Sequence, residues 1–249
     1  TPTRRQRQMC IRDRMKGWDH KSFDIFDNLK DRKNSEHFKI GGDESGKIKY
    51  TFNELGFRGD SLETYQSAKK KFLVFGCSHT VGLGNELKDT WVQRVSDRTG
   101  HSYINCSVQG LSNDTISRAV LSFTEYLKPD FVIVLHTYPH RREYTTSEGR
   151  KCSYKSDGKW DFWKTEQGKK IHDSITLIQN DENDLDNLYR NKMLIYYYLK
   201  SLSIPLLQYE LQEYLDLQVD NDLVGSGHAG IQTNKDFSIK VCRDWIKFV

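Results

Sequence analysis

Residues 71–79 have the sequence Lys71-Phe72-Leu73-Val74-Phe75-Gly76-Cys77-Ser78-His79, an apolar run followed by a glycine-led polar turn. Its continuous apolar run, residues 72–75, predicts a strand that is buried on both faces, as strands of parallel sheets are. The glycine-led turn that follows exposes the next polar side chain, Ser78, at the carboxyl end of that strand. Open α/β sheets carry their chemistry at this edge. Ser78 is therefore a candidate nucleophile, and a plain strand-ending turn is the alternative.

Strand-like and helix-like segments alternate from Lys71 to the end of the chain. We predict strands over residues 71–76, 102–106, 131–136 and 204–208. Apolar side chains at helical spacing predict a helix behind a Ser112/Asn113 cap, a helix over 188–202, and a closing helix with an apolar face from Phe237 to Phe248. This alternation predicts an α/β fold with a central parallel sheet that helices cover on both sides.

Two further segments are placed to assist a nucleophile. The segment 105–110 follows the second strand, and its last residue, Gly110, can bring a backbone N–H close to a reacting carbonyl because no side chain intervenes. The segment 225–230 places His228 in a loop of small residues. A lone histidine in a loop is usually a solvated side chain. His79 is the weaker candidate base, because adjacent side chains on a turn usually diverge from each other.

The order Ser78, Gly110, His228, with each residue near a strand end or a helix start, resembles the SGNH (GDSL-type) hydrolase family. The resemblance extends from about Thr51 onward and includes the stretch Asn53 to Gly59, which is similar to an N-x-x-G-F-R-G segment that precedes the nucleophile strand in that family. Cys77 replaces the aspartate of the family's Gly-Asp-Ser. The resemblance implies a flavodoxin-like, three-layer α/β/α fold in one domain, residues 51–249.

The family's catalytic roles transfer to this sequence only in part. The resemblance implies that Ser78 is the nucleophile, His228 the base and Gly110 an oxyanion donor. The family's third block aligns with residues 136–139 and lacks its asparagine, so the candidate substitutes are Thr137, Tyr138 and Arg141. The acid that orients the histidine is also displaced from its usual spacing. Asp222 is the predicted partner of His228, and Asp220 is the reserve.

The resemblance implies a serine esterase or deacylase that forms an acyl-enzyme on Ser78. Its substrate is expected to be a small-molecule or glycan ester, such as a carbohydrate O-acyl group or a lipid ester, and no metal or organic cofactor is needed. An O-acyltransferase differs only in the acceptor of the acyl group. The missing asparagine and the displaced acid favour a third hypothesis, a catalytically degenerate SGNH-like domain that binds a glycan or a protein.

The charge of the chain gives no support to nucleic-acid binding. The chain has 38 basic and 34 acidic residues, a net charge of +4, and residues 1–14 alone contain five arginines and one aspartate, which also sum to +4. The remainder is therefore neutral. Residues 1–14 resemble translated sequencing-adaptor sequence, and we predict an artefactual, disordered tail there, with a biological basic arm as the alternative. Residues 15–50 are predicted to form a polar lead-in.

The segment 141–187 interrupts the alternation, and we predict an insertion that begins at the rim of the active site. Its aromatic cluster, Trp160-Asp161-Phe162-Trp163, suits stacking on sugar rings or covering an acyl chain, and anchoring the insertion to the body is the plain alternative. The run His140-Arg141-Arg142-Glu143 suits either an anionic substrate group or a solvated charged surface.

The remaining composition predicts a cytoplasmic protein. The cysteines lack the spacing of a metal site and are expected to be free thiols in a reducing compartment. No run approaches the roughly 18 apolar residues that a membrane span requires. No signal peptide is recognised, whether counting begins at Thr1 or at Met15.

Overall fold

The structure is a computed structural model that describes residues 47–145, 151–154 and 165–248. The predicted tail, residues 15–46 of the predicted lead-in and the Trp160–Trp163 cluster lie outside the described residues. The last four residues of the lead-in, 47–50, are described. Two of them, Ile48 and Tyr50, are buried and belong to a small apolar cluster with Phe52, Val81 and Leu83.

Two sheets are present in the described part of the chain. The larger has the strand order β1-β3-β2-β4-β7, in which β2, β3, β4 and β7 are parallel and β1 is antiparallel to β3. The smaller is the antiparallel hairpin of β5 and β6. The strands are β1 (Arg58–Gly59), β2 (Lys71–Phe75), β3 (Ser102–Asn105), β4 (Phe131–His136), β5 (Arg142–Thr145), β6 (Lys151–Tyr154) and β7 (Leu206–Glu210).

The helices connect these strands as parallel crossovers require. They are α1 (Leu62–Ser67), α2 (Ser78–Val81), α3 (Trp91–Thr99), α4 (Asn113–Leu127), α5 (Glu166–Ile178), α6 (Asp181–Ser201), α7 (Leu211–Leu215) and α8 (Ile231–Trp245), with short 3-10 turns at Leu87–Asp89 and Ile246–Phe248. The predicted cap at Ser112 is confirmed, because its side chain accepts a hydrogen bond from the Thr115 N–H at 3.2 Å.

The strand alternation divides the core into two layers. Leu73 and Phe75 of β2 pack with α4 and α6 on one face, whereas Phe72 and Val74 pack with α3 and α8 on the other. This is the period-2 pattern of a strand that is buried on both sides. The predicted α/β fold, a mostly parallel sheet between two helical layers, is confirmed.

Element boundaries differ from the predictions mainly late in the chain. The first three predicted strands agree with β2, β3 and β4 to within one residue, but the fourth begins at Leu206 and runs to Glu210. The helix predicted over 188–202 begins at Asp181, where Asn180 accepts a capping hydrogen bond from the Asn183 N–H. The described parts of the segment 141–187 form the hairpin, α5 and the start of α6. No helix among the described residues is long and apolar enough to cross a membrane.

Candidate active site

Ser78 lies at the carboxyl end of the central strand β2, where it begins the single-turn helix α2. Its side chain is buried, with 8% exposed. The guanidinium of Arg58 fixes the far end of this turn, because it donates hydrogen bonds to the carbonyl oxygens of Val81 and Gly82 at 2.9 and 3.1 Å. Arg58 belongs to the Asn53–Gly59 stretch that the sequence singled out. That stretch therefore acts as a support for the turn that carries Ser78.

The loop between α7 and α8 carries His228 and doubles back on itself. The Asp222 N–H donates to the His228 carbonyl oxygen at 2.9 Å, and Asn221 forms an isolated bridge with Ala229. Gly225 and Gly227 have φ values of 69° and 83°, in the left-handed region that glycine enters without strain. The glycine spacing thus produces the tight return that brings residues 222 and 228 together.

Ser78 and His228 converge although they are 150 positions apart in sequence. The Nε2 atom of His228 lies 2.8 Å from Ser78 Oγ. On the other side of the ring, Nδ1 lies 2.7 Å from Ser226 Oγ, and Ser226 Oγ donates to Asp222 Oδ2 at 2.6 Å. A continuous hydrogen-bonded series therefore joins Asp222, Ser226, His228 and Ser78.

The carboxylate at the end of this series fixes the positions of the protons. The Ser226 hydroxyl has one hydrogen, which it donates to Asp222, so it accepts a hydrogen bond from His228 Nδ1. The Nδ1 atom therefore carries the ring proton, and Nε2 has a lone pair that faces the Ser78 hydroxyl. This is the tautomer that a general base requires.

Asp222 is buried but charged. Burial opposes its ionisation, but hydrogen bonds from the Ser226 hydroxyl and from the N–H groups of Ser226, His228 and Val224 outweigh that cost and lower the pKa of the carboxyl. Gly84 leaves room for it, because a Cβ atom built on Gly84 would lie 2.5 Å from Asp222 Cγ. The prediction that Asp222 reaches Nδ1 needs revision in one respect, because the hydroxyl that bonds to Nδ1 belongs to Ser226.

Asp220, the reserve partner, has a different position. Its carboxylate accepts hydrogen bonds from the N–H groups of Gln232 and Thr233 at 2.7 and 2.9 Å, and from the Thr233 hydroxyl at 2.5 Å. These contacts give acceptors to backbone N–H groups in the first turn of α8, which have no partner within the helix. Asp220 therefore anchors the start of α8, and the structure places Asp222, not Asp220, beside His228.

Two asparagines anchor the histidine loop to the α2–α3 connection. Asn85 Nδ2 donates to the Ala229 carbonyl oxygen at 2.9 Å, and Asn234 Nδ2 donates to the Gly230 carbonyl oxygen at 2.8 Å. The Asn234 Oδ1 atom accepts from the Trp91 N–H at 2.9 Å. Because all these groups are buried, the hydrogen bonds are strong constraints on where the loop lies.

Gly110 lies in the buried turn that leads into α4. Within the described residues, no hydrogen bond uses the backbone N–H of Gly110 or that of Ser78. A buried N–H group without an acceptor is costly, so such groups are usually retained for a ligand or water. Both are therefore available as donors. Asn105, at the end of β3, donates from Nδ2 to the Thr80 carbonyl oxygen at 2.7 Å and so links this segment to the turn that carries Ser78.

Thr137, Tyr138 and Arg141 form a cluster where the chain leaves β4. Asn113 fixes the backbone there, because its Oδ1 accepts from the Thr137 N–H at 3.0 Å and its Nδ2 donates to the Thr137 carbonyl oxygen at 3.1 Å. Arg141 Nη1 donates to Thr137 Oγ1 at 3.0 Å, and its guanidinium carbon lies 5.0 Å from the centre of the Tyr138 ring. The Thr137 hydroxyl is thus an acceptor for Arg141.

His79 is closer to the site than the sequence suggested. Its ring centre is 4.5 Å from that of His228 and 5.5 Å from that of Tyr214. Burial, followed by the charge of His228 when that ring is protonated and by the charge of Arg141, lowers the pKa of His79 to about 3, so its ring is neutral at physiological pH. His79 therefore packs against His228 as a neutral ring.

Sequence reasoning missed Ser226 and the packing role of His79. Ser226 stands two residues before His228 in a glycine-rich loop, where a small polar residue is expected on turn grounds alone. The only available signal was its place between the predicted acid and the predicted base. Among the described residues, no cluster of three or more His, Cys, Asp or Glu side chains is arranged to bind a metal ion.

Comparison with protein-family models finds no match, and comparison with curated proteins finds none. Several solved structures do match. The acetyl xylan esterase Est2A from Butyrivibrio proteoclasticus is 12% identical with a TM-score of 0.39, over 73% of this chain and 65% of that one. The psychrotrophic esterase EstA from Pseudoalteromonas sp. is 14% identical with a TM-score of 0.36, over 72% and 100%.

A third match is a GDSL-like lipase from Bacteroides thetaiotaomicron, 14% identical with a TM-score of 0.30, over 72% of this chain and 89% of that one. The chain is similar to esterases and a lipase of known structure.

Proposed function

We propose that the protein is an ester hydrolase of the SGNH type, with Ser78 as nucleophile and His228 as general base. The observation that carries this proposal is the 2.8 Å hydrogen bond between Ser78 Oγ and His228 Nε2, with Nδ1 linked through Ser226 to the Asp222 carboxylate. A nucleophile, a base and a group that orients the base are the three parts of such a site.

In the proposed reaction, the Ser78 hydroxyl attacks the ester carbonyl as His228 Nε2 takes its proton. The imidazolium returns that proton to the leaving alcohol, and an acyl-enzyme remains on Ser78. Water then attacks the acyl-enzyme with His228 again as base, and the acid product leaves. Asp222 stabilises the positive ring through Ser226. The free N–H groups of Ser78 and Gly110 are the proposed donors to the oxyanion.

The absence of the family's asparagine from the third block removes one oxyanion donor. Such a donor contributes roughly 10²–10³ in turnover. We therefore expect a slow esterase. This departure is also the observation that favours the second candidate, a degenerate domain that binds a glycan or a protein without chemistry.

Labelling with a fluorophosphonate tests the proposal, since only an activated serine reacts. We expect the wild-type protein to label at Ser78 and Ser78→Ala to lose the label. Ser107→Ala is the matched control, because Ser107 is a buried serine that follows β3 at the same edge of the sheet, and it should keep the label. Failure of the folded wild-type protein to label would leave the binding domain as the better account.

An acyltransferase would label equally well, so turnover has to separate the two enzymes. Release of acetate from acetylated sugars in the absence of any acceptor supports hydrolysis. Release that depends on an added sugar acceptor, with transfer of the acyl group to it, would identify the transferase.

A further inference from the structure

Three arginines lie close together where β4 leads into the hairpin, and they differ in their partners. Arg118 is paired with Glu143, and both side chains are about nine-tenths buried. Arg142 has Asp184 at 3.6 Å and Asp114 at 3.9 Å. Among the residues that the structure describes, no carboxylate lies within 4.0 Å of the Arg141 guanidinium.

Arg141 is nevertheless held in a definite position. One of its N–H groups donates to Thr137 Oγ1 at 3.0 Å, and the guanidinium stacks on the Tyr138 ring. Both partners are neutral, so they orient the cation without neutralising it. A guanidinium has five N–H donors in a planar fork, and among the described residues Thr137 Oγ1 is the one acceptor that this fork has, which leaves room for a planar, bidentate acceptor.

Arg141 follows the strand that neighbours β2, on the same edge of the sheet as the candidate catalytic residues. Thr137 follows the last residue of β4, and β4 is the parallel neighbour of β2, whose carboxyl end leads to Ser78. The positive charge of Arg141 also acts on His79, whose ring packs against that of His228. Arg141 therefore follows a strand that ends at the same edge of the sheet as Ser78, and no described carboxylate pairs with its charge.

We propose that Arg141 binds a carboxylate of the substrate, so that the enzyme prefers esters that carry an anionic group near the scissile bond. This inference rests on the proposed esterase function, and it narrows the substrate to acidic esters. The carboxylate belongs either to the acyl group or to the alcohol, and both cases use the same contact. A bidentate pair of this kind is worth about tenfold to a hundredfold in binding.

The test uses two substrate pairs that differ in charge. For the acyl side, p-nitrophenyl hemisuccinate is compared with p-nitrophenyl butyrate, and for the alcohol side, acetylated glucuronic acid is compared with acetylated glucose. In the wild-type protein we expect kcat/KM to be higher for the acidic member of one pair. In Arg141→Gln that ratio should fall at least tenfold, mainly through KM.

Two further variants keep the result interpretable. Arg142→Gln removes a neighbouring arginine that already pairs with carboxylates. Its ratio of kcat/KM for the acidic ester to that for the neutral ester should therefore equal the wild-type ratio. Arg141→Lys keeps the positive charge but loses the planar guanidinium, so it should retain only part of the preference for the acidic ester. It replaces Arg141→Gln in the test if that variant does not fold. A wild-type ratio of one or below for both pairs, or a ratio that Arg141→Gln leaves unchanged, overturns the proposal.

The failure of this proposal is distinguishable from failure of the proposed function. If neutral esters are hydrolysed and Ser78 is labelled but no acidic preference exists, only the role of Arg141 is wrong. If the protein neither labels at Ser78 nor turns over any of the four esters, both proposals are wrong.

Discussion

The Ser226 hydroxyl connects the Asp222 carboxylate to the His228 ring. Its hydroxyl lies 2.6 Å from Asp222 Oδ2 and 2.7 Å from His228 Nδ1, so removing it separates the carboxylate from the ring. In Ser226→Ala we expect turnover of a short-chain ester to fall about 10²-fold, within the range that general acid–base catalysis contributes. Ser226→Thr keeps the hydroxyl and should restore most of the activity.

A merely structural role for Ser226 would give a different pattern. It would lower the melting temperature without moving the pH profile of kcat/KM, whereas loss of the link should shift the acidic limb, where activity falls as His228 becomes protonated. Asp222→Asn should cost more, roughly 10³–10⁴ in turnover, because an amide offers an N–H where the carboxylate accepts hydrogen bonds from every side. Near-wild-type rates in both variants would leave a Ser78–His228 dyad as the catalytic unit.

The α2–α3 connection, which contains Gly84, and the loop that carries His228 approach each other closely. The Leu223 N–H donates to the Gly84 carbonyl oxygen at 3.1 Å, and a Cβ on Gly84 would overlap the Asp222 side chain. Gly84→Ala should therefore displace the loop and lower turnover at least tenfold. Gly100→Ala is the matched control, because Gly100 also has a positive φ, 66°, but a Cβ there meets nothing within 4 Å.

Both glycine variants pay a similar backbone cost of roughly 1–2 kcal/mol, because alanine disfavours the left-handed region. Urea unfolding should thus show this loss of stability in both proteins, and a larger one in Gly84→Ala because of the overlap with Asp222. Turnover should separate them, with Gly100→Ala close to the wild type. Equal turnover in both variants would mean that the loop tolerates displacement and that the contact at Gly84 is not needed for the site.

The sequence predicted those elements whose signal is local. The strand β2 and the turn at Ser78 are adjacent in the chain, so an apolar run followed by glycine indicates both. The edge strand β1 has two residues, Arg58 and Gly59, and is too short for any period to show. The helix α6 begins seven residues before the prediction because Asn180 and an acidic first turn stabilise its start, whereas its apolar spacing begins at Leu188.

The residues of the candidate site also divide into those with a local sequence signal and those without one. Ser78 and His228 stand in recognisable segments, but their 2.8 Å contact depends on a parallel sheet that brings distant chain segments to one edge. Ser226 is indistinguishable from a turn serine until the loop has closed. Whether a described carboxylate pairs with Arg141 depends on where Glu143, Asp114 and Asp184 find partners, and side-chain pairing across elements leaves no periodic signal in a sequence.

Two buried histidines make the free energy of unfolding depend on pH. Burial, the main cause, lowers the pKa of His79 to about 3 and that of His136 to about 4. Both are below the value near 6.5 that histidine has in an unfolded chain. Above that value both states bind no proton at these sites, so stability is independent of them. As the pH falls below it, the unfolded chain takes up protons that the folded protein does not, and stability is lost.

Each such histidine changes the free energy of unfolding by about 1.4 kcal/mol per pH unit between the unfolded and folded pKa values. We therefore expect stability in urea to fall steeply from pH 6.5 towards pH 4, by about 2.7 kcal/mol per unit for the pair. His136 ends β4, bonds to Gln208 Oε1 at 2.8 Å and has no role in the proposed reaction, so His136→Gln removes one of the two groups. Its slope should be lower than that of the wild type by about 1.4 kcal/mol per unit, while its stability above pH 7 should stay constant with pH as far as these groups determine it.

The depressed pKa values of Asp220 and Asp222 act in the same direction, but only below the ordinary carboxyl range, so measurements at pH 5 to 7.5 isolate the histidines. Identical slopes in the two proteins would show that His136 takes up its proton in the folded state and that the buried end of β4 admits a charge.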